Sequence, residues 1–141
     1  MWILPTRDRP KNLVRLFGIF EETEMSTGGF VYVDDDDPQL DAYRNIKVRD
    51  GWEMVISPRL GLGATINKGF TDHPDEPWYG LITDDSIPVT KHWDVRMIEA
   101  AGTELISYCS NVANNKAQFG HCLLGGNFVR GLGWIILPGL V

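Results

Sequence analysis

The sequence predicts an α/β protein built as a three-layer sandwich, in which helices cover both faces of a mostly parallel sheet. Three observations predict this class. Short apolar runs of strand type alternate along the chain with stretches of helical periodicity. Most of these runs are apolar at every position, which is typical of strands that are buried on both faces. The length of 141 residues suits one domain, so we expect a single domain over residues 1–141.

In the first half of the chain, strands and helices alternate regularly. Apolar and β-branched residues predict three strands: 2–4, 30–33 and 53–56. The first helix follows Asp8, which suits its N-cap, and Pro10 suits its first turn. A short helix is predicted over 38–43. The apolar residues of the first helix recur at i, i+3, i+4 and i+7, which places them on one face: Leu13, Leu16, Phe17 and Phe20.

The second half of the chain is interrupted more often by glycine and proline. Its apolar runs predict three further strands: 78–83, 104–108 and 134–137. A helix is predicted over 93–101, with Gly102 as its stop. Residues 61–69 are ambiguous and contain a short helical pattern, whereas 71–77 are predicted to form a loop. Residues 118–132 are apolar but broken by glycines, so the sequence assigns them no element.

The composition excludes several classes of protein. The chain carries 13 basic and 19 acidic residues, a net charge of −6, and shows no basic stripe, so no nucleic-acid partner is expected. No apolar run approaches the roughly 18–20 residues of a membrane-spanning helix, so no membrane span is expected. The first residues lack the basic start and long apolar core of a signal peptide, which predicts a cytoplasmic protein. Two cysteines make neither a disulfide framework nor a zinc site.

Acidic residues concentrate directly after two of the predicted strands. Asp34–Asp37 follow one strand, and Asp84 and Asp85 follow another. In open α/β sheets, ligands bind beyond the carboxyl ends of the strands. Adjacent carboxylates repel each other unless a cation compensates them, and Mg²⁺ or Mn²⁺ prefers such oxygen ligands. The pattern favours a metal and nucleotide site in which Asp34 and Asp35 lie nearest the strand. Acidic turns exposed to solvent are the alternative.

Thr6 and Arg7 follow the first predicted strand in the same way. A guanidinium presents its donors in a planar fork that matches phosphate oxygens, so Arg7 suits a nucleotide. A surface ion pair with Asp8 or with the acidic run is the alternative. The histidines lie far apart in the sequence and are expected at surface or packing positions: His73, His92 and His121.

Four segments carry motifs that occur together in one enzyme family. Residues 5–13 (PTRDRPKNL) match the pattern P-T-R-x-R-P-x-N-L, and residues 33–38 (VDDDDP) form an acidic strand end. Residues 78–85 (WYGLITDD) match Y-G-x-x-x-D-D, and residues 89–94 (VTKHWD) are similar to the P-x-T-x-x-W-D that follows it. In this order and spacing, the segments resemble GT-A-type glycosyltransferases of the family 2-like kind, including small phage-type members.

The resemblance implies a site for a nucleoside-diphosphate sugar at the strand ends. Thr6 and Arg7 would line the nucleotide, and Asp34 or Asp35 would contact its base or ribose. Such a protein would be a nucleotide-sugar-binding domain related to glycosyl transfer.

The resemblance also implies a divalent metal, Mg²⁺ or Mn²⁺. Asp84 would lie at the ribose and the metal, and Asp84 and Asp85 would be the metal ligands. The metal would neutralise the diphosphate leaving group. Trp93 and Asp94 would lie near the sugar. One departure is Ser86, which stands where a DxD-like site would have a second acid.

The resemblance spans roughly residues 2–102, and more loosely the chain to Leu137. Members of the family usually continue into an acceptor-binding segment that supplies a catalytic base, whereas this chain ends at Val141. We therefore expect a GT-A-like domain without that segment, and the catalytic base stays unknown, with Asp94 and Glu99 as the available carboxylates. Two other functions stay open: a non-catalytic binding or assembly module, and a nucleotidyltransferase-like enzyme, although the latter usually begins with a Gly-rich loop.

The end of the chain is unusually apolar. Residues 131–141 contain tryptophan, isoleucine and leucine close to the terminus. Exposed apolar patches of that size usually mark an interface. We therefore predict that the chain forms a homo-oligomer, or binds a partner, through this end.

Overall fold

The computed structural model describes residues 1–111 and 116–139. This part of the chain contains six strands and five helices. In chain order they are β1 (Trp2–Thr6), α1 (Pro10–Glu22), β2 (Gly29–Asp34), α2 (Leu40–Arg44), β3 (Trp52–Ser57), α3 (Leu62–Asp72), β4 (Trp78–Leu81), α4 (Trp93–Ala101), β5 (Ile106–Asn111), β6 (Lys116–Gly125) and α5 (Gly126–Leu132). None of the helices in the described ranges is both long and apolar enough to cross a membrane.

The strands of the described residues form one sheet in the order β3-β2-β1-β4-β6-β5. β1 pairs in parallel with β2 and β4, and β2 pairs in parallel with β3, whereas β6 runs antiparallel to β4 and β5. The prediction of a mostly parallel sheet is confirmed. Because β1 to β4 run in one direction, their carboxyl ends meet at one side of the sheet, which we call the carboxyl edge. The opposite side is the amino edge.

Helices cover both faces of the sheet, as predicted. On one face, Trp2 and Leu4 pack against apolar residues of α1, α2 and α4: Leu13, Leu16, Phe17, Phe20, Tyr43, Trp93, Met97 and Ala101. On the other face, Met1 and Ile3 pack with residues of α3 and α5: Ile66 and Val129. Successive side chains of a strand point to opposite faces. Burial on both faces therefore explains why the first apolar run is continuous.

The start of α1 differs from the prediction. Its N-cap residue is Arg9 instead of Asp8, while Pro10 occupies the first turn as predicted. Asp8 has a positive φ of 57°, and its carboxylate accepts a hydrogen bond of 2.6 Å from the Gln39 amide. The main-chain N–H of Asp8 donates to Asp37 Oδ2 at 2.8 Å. Asp8 is therefore turned towards the start of α2 and does not cap α1.

Helix α3 resolves the ambiguous stretch 61–69. The helix runs from Leu62 to Asp72, so the first residues of the predicted loop 71–77 are helical. Gly61 precedes the helix with a φ of 81°, a conformation that glycine adopts without strain.

The predicted strand at 134–137 is wrong. The preceding stretch 118–132 divides into β6 and α5, and residues 134–137 form an irregular segment. The Asn67 side chain accepts hydrogen bonds from the main-chain N–H groups of Ile135 and Ile136, both at 2.9 Å. The same side chain donates to the Ile136 carbonyl at 2.7 Å. Because a side chain of α3 satisfies these main-chain groups, the segment lies against α3 and outside the sheet.

The apolar residues at this end of the chain are not all exposed. Ile135 is buried among the residues on the α3 and α5 side of the sheet, whereas Leu137 is exposed. Self-association through this end stays a prediction.

A close contact between β1 and β4 positions the two strands that lead into the carboxyl edge. Trp2 is fully buried, and its Nε1 donates to the Thr27 hydroxyl at 2.9 Å. Its ring lies over Gly80 of β4, where a Cβ atom would come within 2.2 Å of the ring. Only glycine leaves room for the indole at this point.

Gly80→Ala is therefore expected to lower the free energy of unfolding by about 1–3 kcal/mol, because the added methyl group overpacks the core. The control is Gly18→Ala in α1, where nothing lies within 4 Å of an added Cβ. That change is expected to raise the free energy of unfolding by about 0.5–1 kcal/mol through helix propensity. Urea unfolding followed by circular dichroism measures both, and equal stability of the two variants would contradict the contact.

Candidate functional site

Asp84 lies at the centre of the carboxyl edge and is 4% exposed. Its Oδ2 accepts a hydrogen bond of 2.6 Å from the Thr6 hydroxyl, and Thr6 Oγ1 lies 2.8 Å from the Tyr43 hydroxyl. Because Thr6 gives its single proton to the carboxylate, Tyr43 donates to Thr6. The main-chain N–H of Arg9 donates in turn to Tyr43 Oη at 2.9 Å. These groups form one directed chain of hydrogen bonds that ends on the carboxylate.

The Tyr43 hydroxyl keeps the proton that this chain requires. Burial raises the pKa of Tyr43 above its usual value, and its contacts with Thr6 and Arg9 only partly offset that effect.

Asp85, the next residue, faces solvent, with 63% of its side chain exposed. The Thr83 hydroxyl donates to Asp85 Oδ1 at 2.6 Å. This hydrogen bond is the main reason why the pKa of Asp85 is lowered, and the charges of Arg9 and His121 lower it further. Asp85 therefore stays ionised at a lower pH than an ordinary aspartate.

Ser86 is held by a residue from a distant part of the chain. Its hydroxyl lies 3.1 Å from His121 Nε2 and 3.2 Å from Thr83 Oγ1. His121 belongs to β6, which runs antiparallel beside β4 and so brings it to the end of that strand. Burial lowers the pKa of His121, although the charge of Asp85 opposes this. Sequence reasoning predicted a surface or packing position because no local pattern links residues 35 positions apart.

A positive side chain lies over both carboxylates. Arg9 Nη1 is 3.3 Å from Asp84 Oδ1 and 3.9 Å from Asp85 Oδ2. Sequence reasoning selected Arg7 and missed Arg9, although both belong to the PTRDRP segment. The spacing of the two arginines could have indicated Arg9. Arginines two residues apart after a strand can contact acids at the ends of different neighbouring strands, as Arg7 and Arg9 do here.

Arg7 lies at the same edge beside β2. Its Nη1 is 2.8 Å from Asp34 Oδ2 and 2.5 Å from Asp36 Oδ1. Both hydrogen bonds raise the pKa of Arg7, and the one to Asp36 has the larger effect. Asp35 is exposed, and its main-chain N–H donates to the Ser57 carbonyl at 2.9 Å. Arg7 and Asp34 are thus brought together, whereas the Asp35 carboxylate makes no hydrogen bond or ion pair with the described residues.

The acidic residues fit a divalent cation that also takes ligands from a substrate. Within residues 1–111 and 116–139, no three histidine, cysteine or acidic side chains form a complete metal site. The Thr6 hydroxyl donates to Asp84 Oδ2, and the Thr83 hydroxyl donates to Asp85 Oδ1. The remaining oxygens, Asp84 Oδ1 and Asp85 Oδ2, both face the positive charge of Arg9. Mg²⁺ is often held by one or two carboxylates together with water and substrate phosphates, so two such oxygens suit it.

Trp93 and Asp94 lie at the amino edge. Asp94 is 0% exposed, and its Oδ2 accepts hydrogen bonds from the main-chain N–H groups of Ser26 and Thr27 at 2.9 and 3.0 Å. The Thr27 hydroxyl donates to the same oxygen at 2.8 Å. Trp93 packs against Trp2 at the start of β1, with ring centroids 4.8 Å apart. The two residues expected near a sugar therefore lie at the amino edge, whereas the acidic groups lie at the carboxyl edge.

The sheet order and the helices on both faces define the fold of GT-A-type glycosyltransferases, which comparison with solved structures confirms. The chain matches the mannosyltransferase PcManGT from Pyrobaculum calidifontis, solved in complex with GDP-Man and Mn²⁺, with a TM-score of 0.73 and 10% identity over 94% of this chain and 46% of that one. It also matches apo GlyE from Streptococcus pneumoniae TIGR4, with a TM-score of 0.54 and 14% identity over 94% of this chain and 35% of that one.

The chain spans less than half the length of either glycosyltransferase. Comparison of its sequence with protein-family models and with curated proteins gives no match. At these low identities, the shared property is the fold.

The position of Asp94 generates a test of its role. Asp94→Ala removes the carboxylate that accepts the hydrogen bonds of residues 26 and 27 and is expected to lower the free energy of unfolding by about 2–4 kcal/mol. Glu99→Ala, an exposed change on the same helix, is expected to stay within about 0.5 kcal/mol of the parent. Chemical denaturation compares them, and an Asp94→Ala protein as stable as Glu99→Ala would show that the carboxylate has no structural role.

Proposed function

We propose that this chain binds a nucleoside-diphosphate sugar at the carboxyl edge and takes part in metal-assisted glycosyl transfer. One observation carries the proposal: two clusters of acidic and basic groups meet at this edge, in a fold that glycosyltransferases share. Arg7 contacts Asp34 on one side, and Arg9 contacts Asp84 and Asp85 on the other.

The spacing of these groups suits a nucleoside diphosphate. Asp34 is the last residue of β2, Asp84 lies in the turn after β4, and β1 lies between these two strands. Neighbouring strands are about 4.8 Å apart, so β2 and β4 are separated by about 10 Å at this edge. In this proposal Asp34 accepts hydrogen bonds from the base or ribose, with Asp35 beside it. Arg7 supplies positive charge, and the Thr6 hydroxyl lines the space between the two acids.

A divalent cation, Mg²⁺ or Mn²⁺, would be held by Asp84 and Asp85 and would neutralise the diphosphate leaving group when bound. The chain's own residues prepare these ligands. Thr6 fixes one oxygen of Asp84 and Thr83 fixes one oxygen of Asp85, so each carboxylate keeps one oxygen for a cation. Ser86, held by His121, secures the turn that carries both acids. The fold relative PcManGT was solved with Mn²⁺, which supports this choice of ion.

The direct test is a thermal-shift panel of UDP, GDP, CDP, ADP and dTDP and their sugar conjugates, with and without Mn²⁺. A ligand that binds only the folded chain stabilises it by about 2.7 kcal/mol at a hundredfold excess over Kd. We expect at least one compound to raise the melting temperature, and Mn²⁺ to increase the rise. The absence of any shift at millimolar concentrations would overturn the proposal.

Asp85→Asn tests the metal ligand. The amide keeps the shape of the side chain but removes the charge that a hard cation requires, so we expect the Mn²⁺-dependent part of the shift to fall and the Kd for Mn²⁺ to rise about tenfold or more. Asp75→Asn, an exposed acid in the loop before β4, is the matched control and should behave like the parent. Unchanged Mn²⁺ binding by Asp85→Asn would remove this residue from the proposed site.

A binding module without transfer activity is the second candidate, and one observation favours it. Of the two carboxylates available as a base, Asp94 lies at the amino edge, and Glu99 is exposed on the same helix. A general base must come within hydrogen-bond reach of the acceptor hydroxyl. A chain that binds nucleotide sugar but neither hydrolyses nor transfers it would have this second function.

A further inference from the structure

We propose that Arg9 binds the diphosphate of the donor, and that it compensates the charges of Asp84 and Asp85 until a divalent cation replaces it there. The inference rests on the function proposed above. It gives Arg9 two successive partners: the carboxylates when the ion is absent, and the phosphates when the ion is present.

Arg9 and a metal ion would use the same carboxylate oxygens. Asp84 Oδ2 is taken by Thr6, and Asp85 Oδ1 is taken by Thr83. The other oxygen of each carboxylate faces Arg9 Nη1, at 3.3 Å for Asp84 and 3.9 Å for Asp85. The guanidinium therefore stands where a cation shared by both acids would stand.

A metal ion bound to these oxygens and the Arg9 guanidinium would repel each other. An ion bound to Asp84 Oδ1 at about 2.1 Å could lie no farther than about 5.4 Å from Nη1 in its present position. A double positive charge that close to a guanidinium repels it, even where solvent weakens the interaction. An ion bound to the carboxylates would therefore weaken the Arg9 contacts, and these contacts would weaken the binding of the ion.

The Arg9 side chain is free to change partners, while its main chain is fixed. Its N–H donates to Tyr43 at 2.9 Å, and its carbonyl accepts from the N–H of Asn12 at 2.9 Å. The side chain is 56% exposed, and its Nη1 lies 3.3 Å from Asp84 Oδ1 and 3.9 Å from Asp85 Oδ2. Arg7 is held more tightly, with contacts of 2.8 and 2.5 Å to its acids.

A released guanidinium is suited to a diphosphate. Its planar fork can place two parallel N–H groups on phosphate oxygens, and such charge-assisted bonds are among the stronger hydrogen bonds in proteins. Because Arg9 is anchored beside the two acids, its head stays close to a diphosphate that shares their ion. Metal and diphosphate would then strengthen each other's binding, and this coupling is reciprocal.

The first measurement is a titration with Mn²⁺ alone, with free Mn²⁺ followed by electron paramagnetic resonance. Arg9→Gln removes the competing charge and is expected to bind Mn²⁺ about fivefold more tightly than the parent, the size expected for one charge near a solvent-exposed ion. Arg96→Gln on α4 is the matched control, since it removes one exposed positive charge elsewhere, and its Mn²⁺ affinity should equal that of the parent.

The second measurement is calorimetric titration with Mn²⁺-loaded pyrophosphate, which carries the diphosphate chemistry without a base. Arg9→Gln is expected to bind it about tenfold more weakly than the parent, the effect of losing a charge-assisted contact. The two affinities thus move in opposite directions, which a simple folding defect would not produce. Circular dichroism and melting temperature confirm that each variant is folded.

Each result decides the proposal. Tighter Mn²⁺ binding together with weaker pyrophosphate binding supports it. Unchanged Mn²⁺ affinity in Arg9→Gln overturns the exchange, and unchanged pyrophosphate affinity overturns the phosphate role. If the parent still responds to nucleotide sugars in the thermal-shift panel, either failure leaves the proposed function standing. If neither the parent nor the variant binds Mn²⁺, pyrophosphate or any nucleotide sugar, both proposals fail together.

Discussion

The buried carboxylate of Asp84 is the group on which the arrangement of the carboxyl edge depends. An ionised carboxylate is costly to bury unless hydrogen bonds and an opposite charge compensate it. Thr6 supplies the hydrogen bond and Arg9 supplies the charge. Tyr43 donates a hydrogen bond to Thr6, which leaves the Thr6 proton for Asp84. The Tyr43 hydroxyl also accepts a hydrogen bond from the main-chain N–H of Arg9. One acid therefore holds the end of β4, the end of β1, helix α2 and the start of α1 in a single arrangement.

The chain uses a second buried carboxylate for a different purpose. Asp94 accepts hydrogen bonds from main-chain N–H groups and a hydroxyl of residues 26–27, which precede β2 at the amino edge. Its position in the first turn of α4 is also favourable for a negative charge. The other oxygen of Asp94, Oδ1, is buried and has no hydrogen-bond partner among the described residues. Asp84, by contrast, directs its second oxygen at the exposed guanidinium of Arg9. The fold therefore encloses both oxygens of Asp94, whereas one oxygen of Asp84 faces a side chain at the surface.

The carboxyl edge gathers polar residues from four distant parts of the chain. The parallel strands bring Arg7, Asp34 and Asp84 to one side of the sheet, and the antiparallel β6 adds His121. His121 contacts the hydroxyl of Ser86, the residue at which the sequence departs from the DxD-like pattern. Instead of the second acid of a DxD-like pattern, this position carries a hydroxyl that secures the turn. A cation would therefore meet two carboxylate oxygens here and would take its remaining ligands from water or substrate.

The sequence by itself determined the α/β class, the mostly parallel sheet and the placement of acids after strands, because these follow from local patterns. The apolar repeat of α1 and the continuous run of β1 need no knowledge of the rest of the chain. Only the tertiary structure decided that Arg9 faces Asp84, that Asp94 lies at the other edge, and that residues 134–137 pack on α3 through Asn67. These outcomes depend on strand register and on the paths of loops. Both are set by contacts between residues far apart in the chain, which no local pattern encodes.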